Sequence, residues 1–304
     1  MVSGLLCVDK PRGITSHKVA SLIKKKFRVK TGHAGTLDPL ATGVLIVLCG
    51  DYTRLSDIFM SQTKVYSARV KMGIRTDSAD SDGNIIAELP WENIVQGDIE
   101  KAMTGFRGEI EQIPPMFSAV KVNGQALYHA ARRGETIDRK PRVVCIENLE
   151  LTGFEPPYFS FESTCSKGTY IRQLAEDITS IAGCGGHITE LRRLKSGNFS
   201  VDNSISLEAL LALDEAKFES LLDDGRSYIV DIPELKVTDS TDFIRLSNGN
   251  YIKSVNLNDA PLVAAVAPSG FIAALGKCEN GLFHPDKVLM NIIENFNETT
   301  QITA

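Results

Sequence analysis

A single carboxylate, Asp38, stands in the run Gly32-His-Ala-Gly-Thr-Leu-Asp-Pro-Leu-Ala-Thr-Gly43. Three glycines and a proline in twelve residues force an unusual backbone path there. The apolar run GVLIVLC follows at 43–49, so the loop sits just ahead of a buried strand and its carboxylate can line a cleft. An ionised carboxylate in a cleft offers a nucleophilic oxygen or a proton acceptor. Asp before Pro also favours a plain turn, with the side chain capping its own backbone. The residues by themselves leave both readings open. A second acidic segment, Ser78-Ala-Asp80-Ser-Asp82-Gly83, has oxygen ligands at calcium-loop spacing. Its twelfth position is Leu89 rather than glutamate and no helix plainly precedes it, so no calcium is expected. The six cysteines are scattered without a CxxC pair and the five histidines are dispersed. Reduced, buried thiols and no zinc site are the expectation.

The elements that must hold Asp38 can be read from periodicity. GLLCVD at 4–9 reads as a strand that Pro11 and Gly13 break. Thr15 or Ser16 then caps a helix with Val19, Leu22 and Ile23 on one face and three lysines, 24–26, near its end. Residues 31–42 read as a loop and 43–49 as a central strand. A short helix is expected around 51–60. Tyr66, Ala68, Val70 and Met72 alternate with polar residues at the strand period. A polar turn covers 75–84, and a helix starts at Asp98. Pro114 and Pro115 stop regular structure, and 112–142 reads as an excursion with an Asn123-Gly124 turn and a basic end. Strands follow at about 143–153 and 158–165, a helix from Gly168 to about 182, and a strand at 187–195. Two short acidic helical segments occupy 207–222. Turn signals such as Asn248-Gly249, Ser269-Gly270 and Asn280-Gly281 divide 230–290 into short β runs, a small all-β domain. The last dozen residues read as frayed.

The chain has 304 residues, 43% of them hydrophobic, enough for one large domain and a smaller one. No apolar run approaches the ~18 residues of a membrane span, and the N-terminus makes a poor signal peptide. A cytoplasmic protein is expected. Net charge is −5, which taken alone argues against a polyanionic partner, yet its distribution argues for one. Residues 1–54 hold nine basic and three acidic residues, and 118–142 hold six and two. Residues 202–242 hold three and eleven. Two basic surfaces on an acidic body suit a nucleic acid, unless they are separate solvated faces.

Six segments carry a resemblance. GHAGTLDPLATGVL closely resembles the catalytic motif of the TruB family of tRNA pseudouridine synthases. VDKPRGITSH (8–17) is similar to the family's N-terminal motif, and KVYSARVKMGIRTDSADSDG (64–83) to its tyrosine-bearing strand and acidic turn. QIPPMFSAVKVNGQALYHAARRG (112–134) resembles its insertion over the active site. CSKGTYIRQLAEDI (165–178) and HITELRRLKSGNFSV (187–201) resemble its arginine motif and closing strand. The segments fall in family order across about 4–210.

The resemblance implies a mixed α/β (α+β) fold around a largely antiparallel sheet, with a catalytic domain at 1–229 and a PUA-like β domain at 230–304. It implies isomerisation of uridine 55 in the tRNA T-loop, in which the N1–C1′ bond breaks, the uracil turns and it rejoins through C5. Asp38 would be the catalytic carboxylate and Arg172 its guanidinium partner. Tyr66 would stack on the uracil and help the C5 proton leave. Tyr170 and Leu191 would line the base pocket, and His33 would fill space beside the flipped nucleotide. Base extrusion costs a few kcal/mol that such contacts must offset. The basic runs 18–30 and 132–142 would bind phosphates, and 112–142 would close over the RNA. No metal or cofactor, no obligatory protein partner and a monomeric state are expected. A guide-RNA-dependent relative acting on ribosomal RNA and a tRNA-folding RNA-binding factor are the rival readings.

Overall fold

The computed structural model describes residues 2–289, apart from 119–120, 123–124, 132, 136, 229–231, 255–256 and 269. Its largest sheet runs Ile205–Ser206, Gly4–Lys10, Thr42–Cys49, Gly186–Ser196, Lys64–Met72, Tyr158–Cys165, Arg142–Glu155, Gly108–Gln112. The short strands Thr31–Ala34 and Phe199–Ser200 pair off this path with Thr42–Cys49 and Gly186–Ser196. All pairings are antiparallel except Ile205–Ser206 beside Gly4–Lys10 and the contact of Arg192 and Arg193 with Thr42 and Gly43. The expected mixed fold with a largely antiparallel sheet is the observed one.

Thr42–Cys49 shows why its sequence is continuously apolar. Val44, Ile46 and Leu48 belong to one buried cluster and Leu45, Val47 and Cys49 to another. A strand buried on both faces cannot alternate with polar residues. On one side the helix Ser16–Phe27 and the short helices Leu207–Ala212 and Glu215–Ser220 cover the sheet. Phe27 stacks on Phe218 there, ring centroids 3.8 Å apart. Another cluster joins Leu37, Tyr66, Ile146, Phe159 and Leu191 to the helices Gln96–Thr104 and Ile171–Ile181.

Several expectations shift in detail. The loop read at 31–42 is shorter, because Thr31–Ala34 adds an edge strand to Thr42–Cys49 and leaves 35–41 as the turn. The helix expected from Asp98 begins at Gln96, and Asp98 lies inside its first turn, accepting a hydrogen bond from the Val95 N–H at 3.0 Å. An acidic residue at that position completes the N-terminus rather than preceding it. The helix Ile171–Ile181 starts three residues after Gly168. The ends of the polar turn at 75–84 are strands, Ile74–Thr76 paired with Ile85–Glu88. The Asn123-Gly124 turn lies outside the described residues, although the flanking Lys121–Val122 and Gln125–Ala126 pair antiparallel. Ser269 and the chain after Leu289 lie outside them as well.

The C-terminal part is not all β. Five strands, in the order Glu234–Lys236, Ala260–Val266, Ile272–Glu279, Leu282–Val288 and Ile252–Lys253, accompany the helix Ser240–Ser247. Asp239 caps that helix by accepting from the N–H groups of Thr241 and Asp242, and Phe243 and Leu246 are buried. Aspartate four residues before a Phe-x-x-Leu spacing is a helix signal that the surrounding turn residues masked. This sheet shares one apolar cluster with Val44, Ile46, Leu48, Tyr52 and Phe59 of the large sheet and its flank. Arg54 donates to the Val288 carbonyl at 2.6 Å across the same contact.

Candidate active site

The turn carrying Asp38 is fastened from below by the N-terminal segment. The Ser16 hydroxyl donates to the Leu37 carbonyl at 3.0 Å and accepts from the Leu37 N–H at 2.8 Å. The buried Lys10 ammonium donates to the carbonyls of Pro11, Ile14 and Pro39 at 2.9, 2.7 and 3.3 Å. Gly13 N–H reaches the Pro39 carbonyl at 2.8 Å. Leu37, Leu40 and Ala41 are buried in the core beside Tyr66. Burial of three apolar side chains and satisfaction of the turn's carbonyls hold the backbone of Asp38 still. Gly43, in the strand that follows the turn, lies at φ +100°, where a Cβ would stand 2.2 Å from the Arg193 carbonyl oxygen. Only glycine lets the parallel strand approach this closely.

Arg172 meets Asp38 from the first turn of the helix Ile171–Ile181. Its Nε lies 2.9 Å from Asp38 Oδ2 and its Nη1 lies 3.4 Å from Asp80 Oδ2. Nη1 also donates to the Ser78 carbonyl and Nη2 to the Phe117 carbonyl, both at 2.7 Å. The Arg172 side chain is 4% exposed and that of Asp38 35%. One side of the carboxylate is therefore held by the guanidinium and the other faces open space. Burial in the recess pushes the Asp38 carboxyl above its ordinary value, Arg172 pulls against that, and Asp80 adds to it. Burial outweighs the guanidinium here.

Asp80 escaped the sequence reading. Its carboxylate is buried, accepts from the Ser78 hydroxyl at 2.6 Å and the Asp82 N–H at 3.1 Å, and shares Arg172 with Asp38. The spacing that mimics a calcium loop is thus a turn that shapes an anion for the arginine. The available signal was a tight cluster of short polar residues inside a family-like block, without a lysine or arginine of its own.

Tyr66 lies on Lys64–Met72, opposite Arg193 in the sheet register, and Leu191 lies opposite Ala68. The period of two places Leu191 and Arg193 on the same face. Burial raises the Tyr66 phenol, and Arg193 is the largest opposing influence. Tyr170 precedes the helix of Arg172, and its backbone is gripped by the Gln112 amide in both directions, at 2.7 and 3.0 Å. Burial raises its phenol too. A cleft of about 700 Å³ gathers Asp38, Tyr66, Tyr170, Arg172 and Leu191 with Lys64, Arg142, Lys167 and Arg193. Burial lowers the Lys64 ammonium to about 8.

His33 is not among the residues lining this cleft. It sits on the edge strand two residues before Gly35, with Nδ1 buried and without a hydrogen-bond partner. Burial, then Arg193 and His17, hold the imidazole towards its neutral form. Of the basic run 132–142, Arg142 lines the cleft, Arg139 donates to the Pro114 carbonyl at 3.0 Å and Arg133 pairs with Glu135. Arg132 lies outside the described residues. No group of three or more metal-ligating side chains occurs among the described residues, and no helix there is long and apolar enough to cross a membrane.

The model of the TruB family pseudouridylate synthase N-terminal domain matches residues 22–171, and that of the tRNA pseudouridylate synthase B C-terminal domain matches 172–225. The two matches meet between Ile171 and Arg172, so the site draws on both. The chain is similar to tRNA pseudouridine synthase B of Aromatoleum aromaticum, 38% identical over 298 residues, covering 96% of this chain and 94% of that protein. Its likeness to the tRNA pseudouridine synthase B of Opitutus terrae is 41% over 222 residues, covering 73% and 92%. Among solved structures, a chain in the crystal structure of a Cbf5-Nop10-Gar1 complex superposes with TM-score 0.68 at 25% identity, covering 95% of this chain and 80% of that one. With the carboxylate, its guanidinium partner and the aromatic cleft in the order that the six segments announce, the chain belongs to the TruB family of pseudouridylate synthases.

Proposed function

We propose that this cleft isomerises the uridine at position 55 in the T-loop of tRNA to pseudouridine. Uridine isomerisation in tRNA is the activity of the family; the position, the residue roles and the monomeric, cytoplasmic state are this reading's own. The observation that carries it is the ion pair of Asp38 and Arg172, 2.9 Å apart. It stands at the foot of a cleft whose walls are Tyr66, Tyr170 and Leu191.

The reaction adds and removes nothing, so the residues need only loosen one bond and guide another. Asp38 keeps one face open for C1′ or C6 while Arg172 fixes the other, and the charge it presents is strengthened as the entering base expels water. Tyr66 offers a flat face to the uracil and its hydroxyl to the C5 proton. Tyr170 and Leu191 narrow the pocket to one pyrimidine. Stacking and apolar contact of this kind offset the few kcal/mol needed to extrude a base. Lys64, Arg142 and Lys167 place positive charge where the backbone phosphates of an extruded nucleotide would lie. His33, neutral and outside the cleft lining, keeps the proposed role of filling space beside the loop.

The segment 112–142 is proposed to close over the RNA. Its entry is moored to the site, since Gln112 grips Tyr170 and Arg172 holds Phe117. Limited proteolysis with and without tRNA tests closure, and equal cutting within 116–142 would count against it. The division of the chain at 229/230 is supported by the strands, which leave the large sheet at Ser206 and start a new one at Glu234. The C-terminal sheet is proposed as the PUA-like module.

The test is an unmodified tRNA transcript incubated with the wild type and with Asp38→Asn, without added metal or cofactor. Conversion of the T-loop uridine by the wild type alone, with both proteins binding tRNA, is the expected result. Binding without conversion by the wild type would overturn the reading. Retained tRNA refolding by Asp38→Asn would show a second, folding activity beside it.

A further inference from the structure

We infer that Arg193 is a positioning residue for the departure of the C5 proton, acting through the hydroxyl of Tyr66; this rests on the reading of the cleft given above. Arg193 is 1% exposed. Its Nε donates to the Val44 carbonyl at 2.6 Å and its Nη2 to the Gly35 carbonyl at 3.0 Å. Nη1 is aimed at the Tyr66 hydroxyl oxygen, 3.5 Å away. No carboxylate lies within ion-pair distance of it among the described residues, whereas Arg172 on the far wall has two.

A buried guanidinium without an anion is costly, and Lys64 in the same cleft adds a like charge. Bridging two carbonyls does not require a charge, because a neutral amide could donate to both. The cation therefore answers to something that becomes negative nearby. The acidic group that its Nη1 reaches is the phenol of Tyr66, its partner in the sheet register. The other titratable groups facing that phenol are Cys165 on the adjoining strand and Asp38 on the loop, and both oppose its ionisation. Arg193 is the group that favours it.

The geometry suits the step. Arg193 donates to the phenol oxygen and so directs charge stabilisation at the atom that would hold the proton. A separation of 3.5 Å is long for a hydrogen bond, but such contacts tighten when substrate fills the site. Gly35 presents its carbonyl to Nη2 from φ +92°, a backbone conformation that favours glycine. In the step itself the C5–H bond breaks and its electron pair forms the C5–C6 double bond, while the C6–N1 double bond left when the base rejoined through C5 opens onto N1, which takes a proton from solvent. The proton passes to the oxygen of the minor, ionised form of Tyr66, whose own proton has gone to solvent and whose share Arg193 increases against the burial that opposes it.

The experiment uses the full chain and a tRNA transcript tritiated at uridine C5. Single-turnover release of tritium is followed against pH for wild type, Arg193→Lys, Arg193→Met, Tyr66→Phe and the double variant Tyr66→Phe/Arg193→Met. Arg193→Met is expected to slow release at neutral pH by at least about tenfold, with tRNA Kd little changed. Its alkaline rise in rate should move to higher pH, and Arg193→Lys should recover part of both. Adding Arg193→Met to Tyr66→Phe should change the rate by less than about twofold, because the phenol through which it acts is already gone. Independent, multiplying losses or a change confined to Kd would overturn the inference. Should Arg193→Met not fold, an Arg193→Lys profile superimposing on the wild type would overturn it equally, since an ammonium cannot reproduce the fork. If the wild type itself releases no tritium, it is the functional reading that fails.

Discussion

Replacing Arg172 by methionine removes a hub rather than a single pair. Four groups converge on its guanidinium: the carboxylates of Asp38 and Asp80, and the carbonyls of Ser78 and Phe117. Asp80 is almost wholly buried, its side chain 7% exposed, and would be left as an uncompensated charge. Losing one partner of a buried pair costs about 3–5 kcal/mol. Asp38, 35% exposed, contributes little to that loss because solvent screens it. Two orphaned carbonyls add to the cost unless water reaches them. The working figure is therefore a stability loss of about 3–5 kcal/mol, most of it from Asp80. Chemical denaturation of Arg172→Met, Asp80→Asn and the double variant separates the shares. The double variant should regain part of the stability, since the stranded charge is gone, yet stay inactive in pseudouridine formation because Asp38 still lacks its cation. A loss below about 1 kcal/mol for Arg172→Met, or no regain in the double variant, would refute the account of the hub.

Other substitutions test the frame around it. Ser16→Ala strips both Leu37 backbone groups of their partner, and should cost about 1–3 kcal/mol and slow the reaction with little change in tRNA affinity; an unchanged single-turnover rate would show that the clamp does not govern Asp38. Gly43→Ala puts a Cβ 2.2 Å from the Arg193 carbonyl oxygen at φ +100°, and should destabilise by at least about 1–3 kcal/mol; a thermal midpoint equal to the wild type would mean that the strands do not approach as described. Asp38→Asn should be more stable than the wild type at neutral pH. The folded Asp38 carboxyl lies above its ordinary 3.8, so its contribution is fully present below that value and is lost as pH rises through the folded value. The stability gap between variant and wild type should accordingly open over the same range, and melting curves showing the gap widening towards acid would reverse the sign and sink the argument.

How much of this was legible beforehand differs by residue. The strand Lys64–Met72 and the buried run 43–49 were plain, because alternation and continuous apolarity are direct imprints of one-sided and two-sided burial. Asp38 was visible as a peculiarity of backbone chemistry, though its role was not, since Asp-Pro serves a turn equally well. The edge strand Thr31–Ala34 was hidden because its glycine and histidine carry no strand signal; pairing with a strong neighbour decides it. The helix Ser240–Ser247 was lost among turn residues that cap it. Asp80 showed in the local pattern only as one member of a cluster of short polar residues, and Arg193 not at all. One lies in a polar turn and the other in a strand rich in basic residues. What singles them out is burial together with a partner 92 residues away in one case and, among the described residues, the lack of a carboxylate within ion-pair distance in the other.

Those two residues make the same physical point from opposite sides. A fold selected for stability alone would not bury Asp80 and Arg172 where an apolar pair would pack, nor leave Arg193 charged in the core. Both arginines are instead held by backbone carbonyls or by side chains anchored on different elements. Arg172 ties a helix, the acidic turn and the entry of the segment 112–142 to Asp38. Arg193 ties two sheet strands to the turn that carries Asp38. The carboxylate is thus held directly by Arg172, and the turn that carries it is held by Arg193 through the Gly35 carbonyl; on the reading proposed above, these buried cations act on charge that develops during the reaction. This arrangement requires that the loss of activity in Arg172→Met and Arg193→Met exceed what their tRNA affinities explain. Proportional falls in affinity and rate would instead make both arginines part of the binding surface.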